Sequence, residues 1–294
     1  MIRLGGFIIT HNRPKILLET IKFLFEQTQP PELLWIIDNS VNLETDHAIA
    51  SLLDPRLKYY RMGFNAGPAG AAKQGLKLCG ESGLDWIYWG NDVDLPENTE
   101  IFERLLSIKD ENPYCRIIGT AGNFFDHRKG EIKRIQTRLL ERKSSVEVEV
   151  ISGGLSMLVH RDVLGAGIFP DPDLFFGFEV LDFCLKANRK GFAMLVHCKL
   201  FLELRARHIP TDFEWSLNEK KTNLVREYYS LRNLLYISDT LTLDAMKKRL
   251  IWKWIGKSVY GFRYGPIYGF KNFRMIWLAF YHYRLGVKGK TLDL

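Results

Sequence analysis

Residues 86–96 run Trp86, Ile87, Tyr88, Trp89, Gly90, Asn91, Asp92, Val93, Asp94, Leu95 and Pro96. An aromatic, apolar run ends in an amide and two carboxylates, and a proline stops it. The run reads as a buried strand that carries its acids at the C-terminal tip. In open α/β sheets that tip is where ligands bind. Two carboxylates held close together repel, and a divalent cation relieves them. Hard oxygen ligands suit Mg²⁺ or Mn²⁺, which bridge a few carboxylates to substrate phosphates. The same residues also suit a solvated turn, because Asp, Asn and Pro all favour turns.

Working outward, the N-terminal half alternates strand and helix signals. Phe7 to Ile9 is a strand and Pro14 to Gln27 a helix, with Pro14 in its first turn. Leu33 to Ile37 is a second strand ending at Asp38. A polar helix follows near Glu44 to Leu53, then a strand at Lys58 to Arg61 and a small-residue helix at Gly67 to Cys79. This alternation predicts an α/β fold, Rossmann-like, with a mostly parallel sheet covered by helices. Further on, Asn98 to Lys109 and Phe178 to Arg189 read as helices. Arg116 to Asn123, Val146 to Ile151 and Phe192 to His197 read as strands, the last being the final strand. From about Trp215 the strand signals end, and a helical region rich in Trp, Tyr, Lys and Arg follows. The expected division is a catalytic domain over 1–212 and a C-terminal helical, basic and aromatic appendage over 213–294.

Composition bounds the chemistry. The 294 residues carry a formal net charge of +7 with 46% apolar content. That is enough to bury a full core, and the basic excess suggests an anionic partner. Cys79, Cys115, Cys184 and Cys198 lie far apart, which argues against a disulfide framework or zinc site and for a reducing compartment. The short apolar N-terminus does not fit a signal peptide, and no apolar run is long enough to span a bilayer. A nucleic-acid partner is not expected, because no binding motif appears and the strand-end acids oppose a phosphate backbone.

Several groups converge on the expected strand-end edge. Thr10, Asn12 and Arg13 follow the first strand, Asp38 the second, and Asn91, Asp92 and Asp94 the fourth. Asp38 suits a ribose or a uracil N–H, or equally a turn. Asn65, Gly67 and Lys73 surround a helix start that suits a diphosphate, or equally close helix–sheet packing. Glu179 at another helix start suits a general base or a helix-dipole partner. His208, placed after the last core strand, suits a structural or surface role, as a lone histidine usually does, or a further metal ligand beside Asp94.

Taken in order, these pieces resemble the inverting family-2 glycosyltransferases of the GT-A fold. The matching segments are Thr10 to Pro14, Ile36 to Asn39, Asn65 to Gly75, Asn91 to Pro96, Ser152 to Arg161 and the segment around Glu179. Asp173 to Asp182, His208 and Arg226 to Asn233 look like the galactofuranosyl- and rhamnosyltransferase branch. The resemblance implies a hexosyltransferase that moves galactofuranose from UDP-galactofuranose, or rhamnose from dTDP-rhamnose. Its acceptor would be a hydroxyl of a lipid-linked or polysaccharide acceptor in cell-surface glycan synthesis. It implies Glu179 as catalytic base, with Asp182 as fallback, and Asp92, Asp94 and His208 for Mn²⁺ or Mg²⁺. It also implies donor binding by Thr10, Asn12, Arg13, Asp38, Asn65, Gly67, Lys73, Asn91 and Asp92. Acceptor binding falls to Gly153, Gly154 and Phe178. Many members have Glu-Asp where this chain has Glu179 and Val180, so a base at the second position is unavailable here. The basic aromatic tail suits an anionic membrane surface, which implies a cytoplasmic protein held peripherally on the inner face of the plasma membrane. The alternatives are a helical cap with no lipid contact, a non-catalytic sugar-nucleotide or polysaccharide-binding relative, and a nucleotidyltransferase.

Overall fold

A computed structural model describes residues 2–96, 98–207 and 223–293. Strands β1 (Leu4–Thr10), β2 (Leu34–Asp38), β3 (Leu57–Arg61) and β4 (Trp86–Asn91) alternate with helices α1 (Pro14–Phe25), α2 (Glu44–Ala50) and α3 (Gly67–Glu81). After α4 (Ile101–Glu111) come β5 (Cys115–Gly119), β6 (Gly122–Asp126), β7 (Glu131–Lys133), α5 (Thr137–Glu141), β8 (Ser145–Val148), β9 (Val150–Ile151) and β10 (Met157–His160). Then follow α6 (Arg161–Gly165), α7 (Glu179–Arg189), β11 (Ala193–His197) and α8 (Cys198–Arg207). The C-terminal helices are α9 (Leu224–Thr240), α10 (Asp244–Tyr260) and α11 (Pro266–Arg284).

The main sheet has eight strands in the order β3-β2-β1-β4-β10-β5-β11-β8, and β6, β7 and β9 form a second, three-stranded sheet. Strands β3, β2, β1 and β4 pair in parallel, as do β5 and β11, whereas β10 and β8 run against their neighbours. The mostly parallel, helix-covered sheet expected from the alternation is therefore present. Side chains of one strand point alternately to its two faces. Phe7, Ile9, Ile87 and Trp89 enter one core with α3, α6 and α7. Leu4, Ile8, Trp86 and Tyr88 enter the other with α1 and α4. Each such side chain, fully buried, contributes about 1.5–3 kcal/mol.

Four expectations change. Arg116 to Asn123 is two strands, β5 and β6. Val146 to Ile151 is also two, because β8 joins the main sheet while β9 pairs with β6. Strand β10, absent from the sequence reading, inserts antiparallel between β4 and β5. Finally, β11 is followed at once by α8, so a ten-residue helix separates the last strand from residue 208.

The expected boundary near 212 lies among residues 208–222, outside the described residues. The helices beyond it share a core with the sheet: Tyr228, Tyr229, Leu231, Leu235, Ile276 and Ala279 belong to the same buried cluster as Phe7 and Trp89. Among the described residues, no helix is long and apolar enough to cross a membrane.

Candidate active site

Register brings the strand tips level. Thr10 sits beside Asp38, and Ile9 beside Asn91. Because β10 runs antiparallel, its first residue, Met157, lies beside Trp89, so the preceding Ser152–Leu155 segment sits at the same edge. Helix α7 leads into β11, which is parallel to β5, so α7 also begins at that edge. One cleft results. Asn91 and Asp94 come from the β4 tip, Gly153 and Gly154 from the turn before β10, and Glu179 and Val180 from the start of α7. Gly154 has φ +76°, and a Cβ there would lie 3.4 Å from Asp94 Oδ2, so the turn approaches the carboxylate closely. Asn91 Nδ2 donates to Asp94 Oδ2 at 2.8 Å.

Glu179 has the environment expected of a tuned carboxylate. Its Oε2 is buried with no hydrogen-bond partner. Burial pushes the carboxyl above its ordinary value, and the backbone N–H groups of Glu179 itself and Gly177 pull it partway back. A buried carboxylate oxygen without a donor is rare, and such groups concentrate where chemistry is done. Asp182, the fallback, has a different employment. It is buried, its Oδ2 accepts from Lys186 Nζ at 2.5 Å and from the Asp171 N–H at 2.8 Å, and it does not line the cleft. It ties α7 to the preceding loop.

The two strand-end aspartates divide. Asp92 is buried. Thr10 Oγ1 donates to its Oδ2 at 2.8 Å, and Arg13 Nη1 lies 3.3 Å from its Oδ1. Burial raises its pKa, and the Thr10 and Arg13 contacts oppose that rise. Asp94 is more open and faces the cleft. These carboxylates have the hard oxygen chemistry for Mg²⁺ or Mn²⁺ shared with a diphosphate. They do not form an all-protein cage: no group of three or more His, Cys, Asp or Glu suited to a metal occurs among the described residues. His208 lies outside the described residues.

The remaining donor-side residues have varied surroundings. Thr10 and Arg13 gather on Asp92. Asn12, at φ +56°, donates its N–H to Ser40 Oγ. Asp38 is fully buried, and both its oxygens accept, from the Ser40 N–H and from Tyr59 O–H at 2.8 Å each. It orders the turn after β2, and each oxygen keeps a further lone pair for a donor. Asn65 Oδ1 accepts the Gly67 N–H at 3.0 Å, and the Ala69 N–H reaches Phe175 O at 3.3 Å. Two amides at the α3 start are thus already bonded. Gly67 itself has φ +69°, and a Cβ there would lie 2.1 Å from Phe175 O. Close packing alone is enough to require glycine here. Lys73 is exposed on α3. Of the acceptor-side expectations, Gly153 and Gly154 line the cleft, while Phe178, at φ +68°, is the residue from which α7 springs.

Ser152, Met157 and Tyr88 also line the cleft; they lie within segments the sequence singled out but were given no role there. Sequence reasoning missed the partners of Asp38, since Tyr59 lies on the next strand and nothing in its spacing marks it.

Comparison with known proteins agrees with this geometry. Residues 7–164 match the family described as Glycosyl transferase family 2. The galactofuranosyltransferase GlfT1 of Mycolicibacterium smegmatis is 23% identical over 196 residues, covering 63% of this chain and 65% of the relative, so the match spans just under two thirds of that protein. Residues 1–349 of S. aureus TarS superpose with a TM-score of 0.52 at 14% identity, covering 97% of this chain and 92% of that one. The mannosyltransferase PcManGT of Pyrobaculum calidifontis, solved with GDP-Man and Mn²⁺, gives 0.52 at 11% identity over 99% and 76%. Those structural likenesses speak for the fold, and the family match covers more than half of the sequence: the chain belongs to glycosyl transferase family 2.

Proposed function

We propose that this chain is an inverting hexosyltransferase that takes a sugar from a nucleotide diphosphate donor and passes it to a hydroxyl of a lipid-linked or polysaccharide acceptor. Galactofuranose from UDP-galactofuranose is the donor we favour, with rhamnose from dTDP-rhamnose the next. The observation that carries the reading is the partnerless buried oxygen of Glu179, set in the same cleft as Asp94.

In this mechanism Glu179 accepts the proton of the acceptor hydroxyl as that oxygen forms its bond to the anomeric carbon. The bond from that carbon to the diphosphate oxygen breaks on the opposite face, so configuration inverts. Proton transfer of this kind is worth about 10²–10⁴ in rate. A raised carboxyl is a stronger base than an ordinary one once ionised. Gly153 and Gly154 keep the cleft floor free of side chains for the sugar rings. Asp94, with Asp92 behind it, would hold a divalent cation, whose chemistry there is to neutralise the leaving diphosphate. Arg13, paired to Asp92 and half exposed, supplies fixed positive charge at the same edge.

The membrane reading has its own support. Every charged residue from 245 to 292 is basic. On α11, Ile267, Phe270 and Trp277 are 74%, 67% and 44% exposed, with Lys271, Arg274 and Arg284 also exposed. Phe262, Phe270, Phe273 and Trp277 form a chain of neighbouring rings. Aromatic rings with a cationic rim suit the headgroup depth of an anionic bilayer. We therefore place the protein peripherally on the inner face of the plasma membrane.

One observation favours a second reading, a non-catalytic sugar-nucleotide-binding relative: Val180 lines the cleft where many members carry a second acid. A thermal-shift screen of sugar nucleotides with Mn²⁺ or Mg²⁺, followed by radiolabelled transfer with the stabilising donor, separates the two. Transfer or hydrolysis supports the enzyme, and binding without turnover supports the relative. A donor at 100 times its Kd stabilises by about 2.7 kcal/mol.

A further inference from the structure

The backbone that delivers Glu179 is strained. Phe175, Gly177 and Phe178 have φ of +60°, +80° and +68°. Two of the three are bulky residues, for which the left-handed region is costly, and such conformations persist only where neighbours over-determine them. The neighbours are on α9. Asn233, buried, points its Nδ2 at three carbonyls of this loop, Leu174 at 2.9 Å, Phe176 at 2.9 Å and Gly177 at 3.1 Å. Arg232, also fully buried, donates from Nη2 to Leu174 O at 3.1 Å and from Nε to Asn233 Oδ1 at 3.1 Å, which fixes the amide's orientation. Its Nη1 reaches Gly289 O at 2.9 Å and Thr291 Oγ1 at 3.1 Å in the C-terminal tail. No carboxylate pairs with Arg232 among the described residues. Its charge is met by carbonyls, a hydroxyl and the Tyr229 ring, 4.8 Å from the guanidinium carbon.

A buried guanidinium is expensive to desolvate. Spending it on neutral backbone oxygens of one loop makes sense if that loop's conformation matters. From the other side Gly67 packs directly on Phe175 O. The loop is thus gripped between α3 and α9, and its last residue is the hinge from which Glu179 projects. Glu179 in turn takes the Gly177 N–H, so a shift in the loop is a shift of the carboxylate.

We propose that Asn233 and Arg232 are positioning residues for the transfer reaction: they hold the Leu174–Phe178 loop in its strained path and so set the Glu179 carboxylate in the cleft. The inference rests on Glu179 being the base. Neither residue touches the reacting atoms.

The decisive variant is Asn233→Asp. It keeps the shape and the Oδ1 that Arg232 holds, and it gains an ion pair with Arg232, but it has no N–H to give. Hydrogen exchange, turnover of radiolabelled UDP-galactofuranose and UDP affinity are compared with wild type and with Glu179→Gln. The expected result is faster exchange confined to the segment 174–181, with β1 and β4 amides unchanged. Turnover falls about 100-fold, the cost of a misplacement near 1 Å, while UDP affinity and donor KM stay within about threefold. A merely structural role would instead lower melting temperature and amide protection throughout the chain and leave kcat per folded molecule intact. Unchanged exchange at 174–181 overturns the inference even in a chain that does not turn this donor over. Normal kcat in Asn233→Asp with a dead Glu179→Gln also overturns it and leaves the base assignment standing. A fully active Glu179→Gln removes the base assignment itself.

Discussion

Replacing Gly67 by alanine isolates the close approach between α3 and the loop that carries Glu179. Two costs add. A left-handed backbone costs a non-glycine residue about 1–2 kcal/mol, and Gly67 sits at φ +69°. The new Cβ would then meet Phe175 O at 2.1 Å, an overpacking that costs typically about 1–3 kcal/mol. Together they predict a loss of about 2–5 kcal/mol. At roughly 2–4 °C per kcal/mol for larger domains, melting should fall by about 4–20 °C. Urea unfolding followed by far-UV circular dichroism reads this as a lower midpoint with an unchanged slope. Gly165→Ala is the control, because a Cβ there meets nothing and the backbone is not left-handed. It should be neutral or slightly stabilising. If Gly67→Ala unfolds within about 0.5 kcal/mol of wild type, the size of an ordinary surface substitution, the packing explanation of this glycine fails. A phosphate-binding role for the α3 start would then regain its case.

Other outcomes follow from the same geometry. Asp94→Ala should abolish the Mn²⁺ dependence of UDP binding in calorimetry while leaving the melting temperature nearly unchanged; retained metal dependence would rule out this carboxylate as the ligand. Burial raises the Glu179 pKa in the folded chain above its ordinary 4.5, so ionising it costs stability as pH rises through the folded value. Glu179→Gln removes that cost and should be more stable than wild type near pH 8, yet equal to it near pH 4. An identical difference at both pH values would contradict the raised pKa. Replacing Phe270 and Trp277 together with Glu should abolish flotation with anionic phosphatidylglycerol vesicles at low salt without lowering soluble turnover, and undiminished flotation would exclude this face.

Much of the fold was legible because the deciding signals are local. The apolar runs of β1, β2 and β4, each ending in a polar tip, and the apolar spacing of α1 specify parallel strands with crossover helices. The antiparallel insertion of β10 was not legible. Met157 to His160 is a four-residue run, and nothing in it says which neighbours it joins. Val146 to Ile151 alternates evenly, so the transfer of the chain from one sheet to the other at Glu149 leaves no trace in its pattern. The site was legible as a set of acids at strand ends, with Asp94 favoured over Asp92 as the metal ligand. The partners that set Asp92 apart were not legible: the Thr10 and Arg13 side chains that hold it lie some eighty residues away. Gly67 read equally as a phosphate-binding or a close-packing glycine because approach to a ligand and approach to Phe175 O demand the same absent Cβ. Asn233 and Arg232 belong to the Arg226–Asn233 motif, but their task depends on a loop more than fifty residues earlier.

If Glu179 is the base, donor affinity by calorimetry and turnover by radiolabelled transfer, both on Glu179→Gln with Mn²⁺ present, must separate. Glutamine keeps the size of the side chain and removes only the base. The expected result is UDP-sugar affinity within about threefold of wild type and turnover reduced by about 10²–10⁴. Turnover near the wild-type value, or donor affinity lost together with turnover, would contradict it.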